Sequence, residues 1–258
     1  MNTKIPFVKT SQARYFLFLL LILPVCFYGQ VNITNASPSV TLNFSSTMPT
    51  TAGTNPSTAF SGAGFSPNPT VAGRLNSNAW DIKGFSFGTL GFGGTQTVDA
   101  FGRGSVTGAV VSHGIYAFTE LPGSVANPAL MVQPSGTEFS PGSITLRIRN
   151  NGTSSITQLQ VDYNLFVRND GDKSSTFNFS HSADNIVFQD EALLDYVSPD
   201  VSDALEWVSI GLSPSRSIII TGLNIPPGAL YYLRWTSEEV SGAGSSDEFG
   251  LDDIRIIG

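Results

Sequence analysis

Cysteine is nearly absent: the 258-residue chain has one, Cys26, beside 26 glycines and 15 prolines. Only two histidines are present, His113 and His181, and charged residues make up 13%, about half the ~25% usual in soluble domains. Basic residues number 13 against 20 acidic ones, a net charge of −7. Each shortage excludes a class. So few cations rule out a basic nucleic-acid-binding surface. The glycine and proline content argues against long helices and coiled coils. Two histidines with no second thiol supply no zinc set. What is plentiful is aromatic: 18 Phe, 7 Tyr and 3 Trp provide ample core material and exclude a disordered chain.

The first residues read as an address. Lys4, Lys9 and Arg14 form a basic lead without acids, an apolar run follows from Tyr15 to Phe27, and Tyr28-Gly29-Gln30 closes it. That is the layout of a secretory signal peptide over residues 1–29. The run is 13 residues, short of the ~20 a membrane-spanning helix needs. Val25 stands where a lipobox wants a small residue, so Cys26 is not read as a lipid attachment point. The expectation is a secreted, extracellular or outer-surface protein, with the periplasm as the other destination and no membrane span after cleavage. Cleavage leaves ten basic and twenty acidic residues and no thiol. Residues 30–258 are then one domain, held by its core rather than by disulfides.

Apolar residues recur at every second position in many short segments: Val40, Leu42, Phe44; Ile144, Leu146, Ile148; Leu159 through Val167; Phe177, Phe179. Period two marks half-buried strands. Ile218-Ile219-Ile220 and Leu230-Tyr231-Tyr232-Leu233 are apolar on both faces and suit central strands. Turn clusters lie between, and Asn151-Gly152 between two alternating runs predicts a hairpin. Asp190 to Tyr196 is the one helical candidate and is too short to stand alone. Ten to thirteen strands with such turns predict an all-β, two-sheet antiparallel β-sandwich, jelly-roll-like, ahead of a barrel. Residues 45–79, poor in charge, read as a long irregular surface excursion anchored by Phe60 and Phe65.

Chemistry-bearing patterns are few. Gly84-Phe85-Ser86-Phe87-Gly88 spells G-x-S-x-G, but no helix can follow it, so it reads as a glycine-rich β segment rather than a nucleophile turn. Asp170-Gly171-Asp172 with Ser174 resembles the start of a calcium loop, whose twelfth position here is His181. The closing segment Asp247-Glu248-Phe249-Gly250-Leu251-Asp252-Asp253-Ile254 says more. Strict period two puts Asp252 with Ile254 and Ile256 and sends Asp253 to the other face, which forces one carboxylate toward the core. Such a group needs a partner: a structural calcium ion held by Asp247, Glu248, Asp252 and Asp253, or Arg234, or backbone N–H groups. The large aromatics are expected in the core first. As candidates for stacking on a sugar stand Trp80, Tyr116 and Trp235, with Arg234 beside them.

Taken together, Leu75-Asn76-Ser77-Asn78-Ala79-Trp80, Gly91-Phe92-Gly93-Gly94-Thr95, Gly114-Ile115-Tyr116-Ala117-Phe118, Phe139-Ser140-Pro141-Gly142, Phe177-Asn178-Phe179-Ser180, Tyr232-Leu233-Arg234-Trp235 and the Asp252-Asp253-Ile254 close resemble a known set. The chain is similar, over residues 38–257, to a β-sandwich module of exported bacterial proteins of Bacteroidota type. There the module stands alone or ahead of lamin-tail-like, nuclease or secretion-sorting modules. The resemblance implies a jelly-roll-like sandwich and export, and no assigned activity. The functional expectation is a non-enzymatic exported protein that binds glycan or a surface protein in adhesion. The alternative is a structural or accessory subunit working through protein contacts, and a secreted hydrolase comes last, because no nucleophile–base pair is visible.

Overall fold

The computed structural model describes residues 1, 30–35, 39–45, 58–120, 128–203, 206–211 and 216–258. Met1 apart, the expected leader lies outside the described residues, as does 46–57 of the Ser/Thr-rich stretch. Two sheets form the fold. The first has seven strands, in the order Gln189–Asp190, Asn178–Ser182, Leu230–Ser237, Gly142–Asn150, Trp80–Phe85 and Gly88–Leu90, with Val31–Ile33 parallel to the end of Gly142–Asn150. The second has eight. Ile156–Arg168 carries Val208–Ile210 and Arg216–Ile225 on one side and Glu248–Ile257 on the other. Glu248–Ile257 then pairs with Ala129–Gln133 and Val40–Leu42, and Gly114–Phe118 and Ser105–Val106 complete the sheet. Antiparallel pairing dominates, so the chain is an all-β sandwich. Among the described residues no helix is long and apolar enough to cross a membrane.

The alternating residues meet between the sheets. Tyr163 of the second sheet packs edge-on against Trp235 of the first at 5.5 Å, and Phe179 lies beside both. Phe177 stacks on Phe249 at 5.0 Å. Phe60 and Phe65 are buried and extend this core through Phe44 to Trp80. A second cluster, Tyr116, Phe118, Ala129, Met131, Phe166 and Trp207, covers part of the outer face of the second sheet.

Four local expectations change. Nineteen strands form among the described residues, several of two residues each. Asn151-Gly152 is not a hairpin turn, because Gly142–Asn150 and Ile156–Arg168 belong to different sheets. The fully buried Asn150 holds this arch: its amide donates to the Ser154 and Ile225 carbonyls and its oxygen accepts the Gly152 N–H. Alternation reports which face is buried, not which sheet a strand joins. Ile218–Ile220 lies in an edge strand paired only with Ile156–Arg168, and Ile219 is exposed. The Asp190–Tyr196 candidate is a single 3-10 turn, Ala192–Leu194.

Candidate functional site

A cleft of about 530 Å³ opens where the edge of the first sheet faces the edge of the second. One wall is the Asn178–Ser182 strand, the loop after it and Gln189; the other is Gly222, Leu223 and Asn224. Gly222 has φ +72°, which a side chain rarely adopts, and marks an irregularity in the pairing of that edge strand. Tyr231 and His181 face inward side by side and form the floor, ring centroids 5.8 Å apart.

The floor is a closed hydrogen-bond chain. His181 Nδ1 lies 2.6 Å from the Tyr231 hydroxyl and Nε2 lies 2.9 Å from Glu191 Oε1. A carboxylate only accepts, so Nε2 carries a proton toward Glu191; in the neutral tautomer that leaves Nδ1 to accept from Tyr231. Burial, with the Glu191 charge, pushes the Tyr231 hydroxyl up to about 12, which keeps it a donor. These linked side chains stiffen the floor. The walls differ. Phe188 is partly exposed, and the side-chain amides of Gln189 and Asn224 make no hydrogen bond to the described residues. An apolar ring with two unengaged amides around a fixed floor can grip a small, polar, ring-shaped ligand.

Of the residues the sequence put forward as ligand contacts, three are placed elsewhere. Trp80 and Trp235 are 0% exposed, inside the core, and cannot stack on anything from solvent. Tyr116 is 5% exposed within the outer-face cluster, its hydroxyl donating to the Ser112 carbonyl. All three are packing residues because their strands put those positions on covered faces. Arg234 points outward from the first sheet, its guanidinium 3.4 Å from the centre of the Phe188 ring. Phe188 and Gln189 went unnoticed in the sequence; the apolar run Ile186-Val187-Phe188 beside Asp184-Asn185, outside any alternating segment, was the available signal.

The metal set is not assembled. Asp252 Oδ1 accepts the Asp253 N–H, and Asp253 Oδ2 accepts from Asn164. Asp253, at φ 48°, is one extra residue opposite Ile156–Arg168, a bulge. It resets the alternation: Phe249 and Leu251 before it and Ile254 and Ile256 after it all reach the core. The conflict that strict period two created is thereby removed: a backbone N–H and Asn164 donate to these two carboxylates, and Arg234 lies against Phe188 instead. Asp247 and Glu248 diverge: Asp247 Oδ1 accepts from Gly171 N–H and Glu248 Oε1 from Val110 N–H. In the Asp170–Ser174 turn, Asp170 pairs with Arg168, Asp172 accepts from Ser202, and Ser174 donates to the Ser198 carbonyl. Among the described residues no group of three or more His, Cys, Asp or Glu is placed to hold a metal ion.

Burial instead raises the Asp247 and Glu248 carboxyls. It pushes Asp247 up to about 6, against hydrogen bonds from Ser198 and Gly171. It pushes Glu248 up to about 8, with Asp170 adding to the rise and Val110 N–H and Arg168 opposing it.

Ser86 does meet an acid and a histidine. It sits in the turn joining Trp80–Phe85 to Gly88–Leu90, and its N–H donates to Glu138 Oε2 at 2.6 Å. His113 Nε2 stands 4.0 Å from the same oxygen. Burial raises the Glu138 carboxyl, but hydrogen bonds from the Ser86 hydroxyl and N–H, with His113 nearby, outweigh it and hold the group low. The order is serine–carboxylate–imidazole, whereas a triad requires the imidazole between the other two. The carboxylate staples a turn.

No protein-family model matches the chain, and no curated protein matches it in sequence. Among solved structures, it is similar to a non-crystalline-cellulose-specific carbohydrate-binding module, CBM28, at 10% identity and TM-score 0.36 over 57% of this chain and 82% of that one. It is also similar to the K3 cleaved adhesin domain of Lys-gingipain from Porphyromonas gingivalis w83, at 12% identity and TM-score 0.29 over 53% and 77%. A third is the enzymatically active domain of bacteriophage CBA120 tailspike protein 4, at 10% identity and TM-score 0.34; 58% of this chain matches, and it spans 18% of that structure. Likenesses this distant carry no argument about function, and the fold stands on the strand pairing itself.

Proposed function

We propose that this chain is an exported, non-catalytic β-sandwich that binds a glycan in the cleft between its two sheet edges. Export rests on the basic-then-apolar leader of residues 1–29, and the resemblance to exported Bacteroidota-type modules agrees with it. The observation that carries the binding reading is the cleft: a partly exposed Phe188 ring and the unengaged Gln189 and Asn224 amides surround the fixed His181–Tyr231 floor. Sugars present apolar ring faces and a rim of hydroxyls, and this lining complements both. A glycan-array screen, followed by calorimetry with the strongest hit, tests it. The Gln189→Ala, Asn224→Ala double variant should weaken that hit about tenfold or more while leaving Tm in place, since both amides lie outside the core. No hit above background, or a hit that ignores both substitutions, overturns the reading.

A further inference from the structure

The outer face of the first sheet carries a pair of cations with no counterion in contact among the described residues. In Gly142–Asn150, Leu146 and Ile148 point to the core and Arg147 points out; in Leu230–Ser237, Leu233 and Trp235 point in and Tyr232 and Arg234 point out. Arg147 pairs with Tyr232 and Arg234 with Thr145, so the two arginines are diagonal neighbours. Diagonal positions lie about 7–8 Å apart, within mutual reach of long side chains. Like charges so placed repel, and this chain has only 13 basic residues to spend.

Each guanidinium is held face-on by a phenylalanine from a flanking loop: Arg147 lies 4.4 Å from the Phe92 ring centre and Arg234 3.4 Å from that of Phe188. Phe92 in turn packs on Tyr232. The Nε atoms of both arginines are buried without a hydrogen-bond partner, and burial pushes both guanidiniums down. Arg147 donates to the Asn78 carbonyl, and neither side chain has an ion-pair partner among the described residues. Two acids share this face without touching the arginines, and the Asp190 charge opposes the downward push of burial on Arg234. Asp190 and Asp81 stand two strands to either side of Arg234, beyond Ser180 and Thr145, and Asp81 pairs with Lys83 at 3.5 Å.

We infer that this face binds a carboxylated sugar chain, with Arg147 and Arg234 taking uronate carboxylates and Tyr232, Phe92 and Phe188 flanking the rings. The ring contact restrains each guanidinium, and a planar fork matches a carboxylate. Phe188 borders both this face and the cleft, but the inference does not need the cleft.

Calorimetry with trigalacturonate tests it, alongside the methyl-esterified trimer, neutral galactotriose and a short oligoglutamate. Trigalacturonate should bind and the ester and neutral trimer should bind at least about tenfold more weakly. Arg147→Gln and Arg234→Gln should each cost about tenfold with Tm kept within a few degrees. Phe188→Leu separates loss of the ring from loss of charge and should weaken binding less than Arg234→Gln. Gln189→Ala, which impairs the cleft, should leave trigalacturonate binding intact, so the two readings fail independently. Equal binding of the ester, binding that survives both arginine substitutions, or oligoglutamate binding as tightly as the sugar acid would each overturn the inference.

Discussion

Single side chains here do work that their type alone does not announce. Trp80 and Trp235 have the chemistry of a sugar platform and the position of core residues. Trp235→Ala should therefore cost about 3–5 kcal/mol of stability, read by urea unfolding, and any binding it loses reports unfolding. Glu248 shows the reverse: an ionisable group kept neutral. Its folded carboxyl is raised to about 8 from an ordinary value near 4.5, so between those values the folded state holds more protons than the unfolded one. The associated stability is complete below about 4.5 and is lost as pH rises toward 8. Over that window the wild type should lose roughly 2–4 kcal/mol, and Glu248→Gln should flatten the profile and raise Tm near pH 8. A profile identical in both proteins would show that Glu248 ionises freely.

At the scale of elements, small irregularities decide where strands point. The bulge at Asp253 lets one strand keep Phe249 and Leu251, then Ile254 and Ile256, on the same side. Strict alternation could not reveal it, because an aspartate looks the same in sequence whether it bulges or not. The arch after Gly142–Asn150 depends in a similar way on Asn150, whose side chain makes three hydrogen bonds in a fully buried setting. Asn150→Ala strands two carbonyls and an N–H and should cost about 2–4 kcal/mol, measured by thermal and urea unfolding together. Asn151→Ala, just outside it, should cost under about 1 kcal/mol, which separates the arch from a simple turn preference.

For the molecule as a whole, the separate partners of the four closing-strand acids make a prediction opposite to the calcium expectation. Chelation with EDTA should leave Tm unchanged within about one degree, because among the described residues Asp247, Glu248, Asp252 and Asp253 are engaged by protein donors and not gathered about one point. A chelator-induced fall of several degrees would require ligands outside those described. The candidate site is also a property of the whole: the cleft exists only because the Gln189–Asp190 edge with Asn178–Ser182 beside it, and Arg216–Ile225 at the edge of the other sheet, end facing each other.

The sandwich was legible in the residues. Period two, frequent turn residues and abundant aromatics lead to packed sheets by local and compositional rules, which need no knowledge of partners. Phe60 and Phe65 were also legible as anchors of the irregular stretch, since each is a large apolar side chain among small and polar ones. Only the tertiary structure decided which sheet each strand joined, where Asp253 broke the alternation, that Phe188, Gln189 and Asn224 line one cleft, and that Arg147 and Arg234 are neighbours on one face. Those outcomes depend on contacts between residues tens of positions apart, and a one-dimensional pattern records the burial of each residue without naming its neighbour.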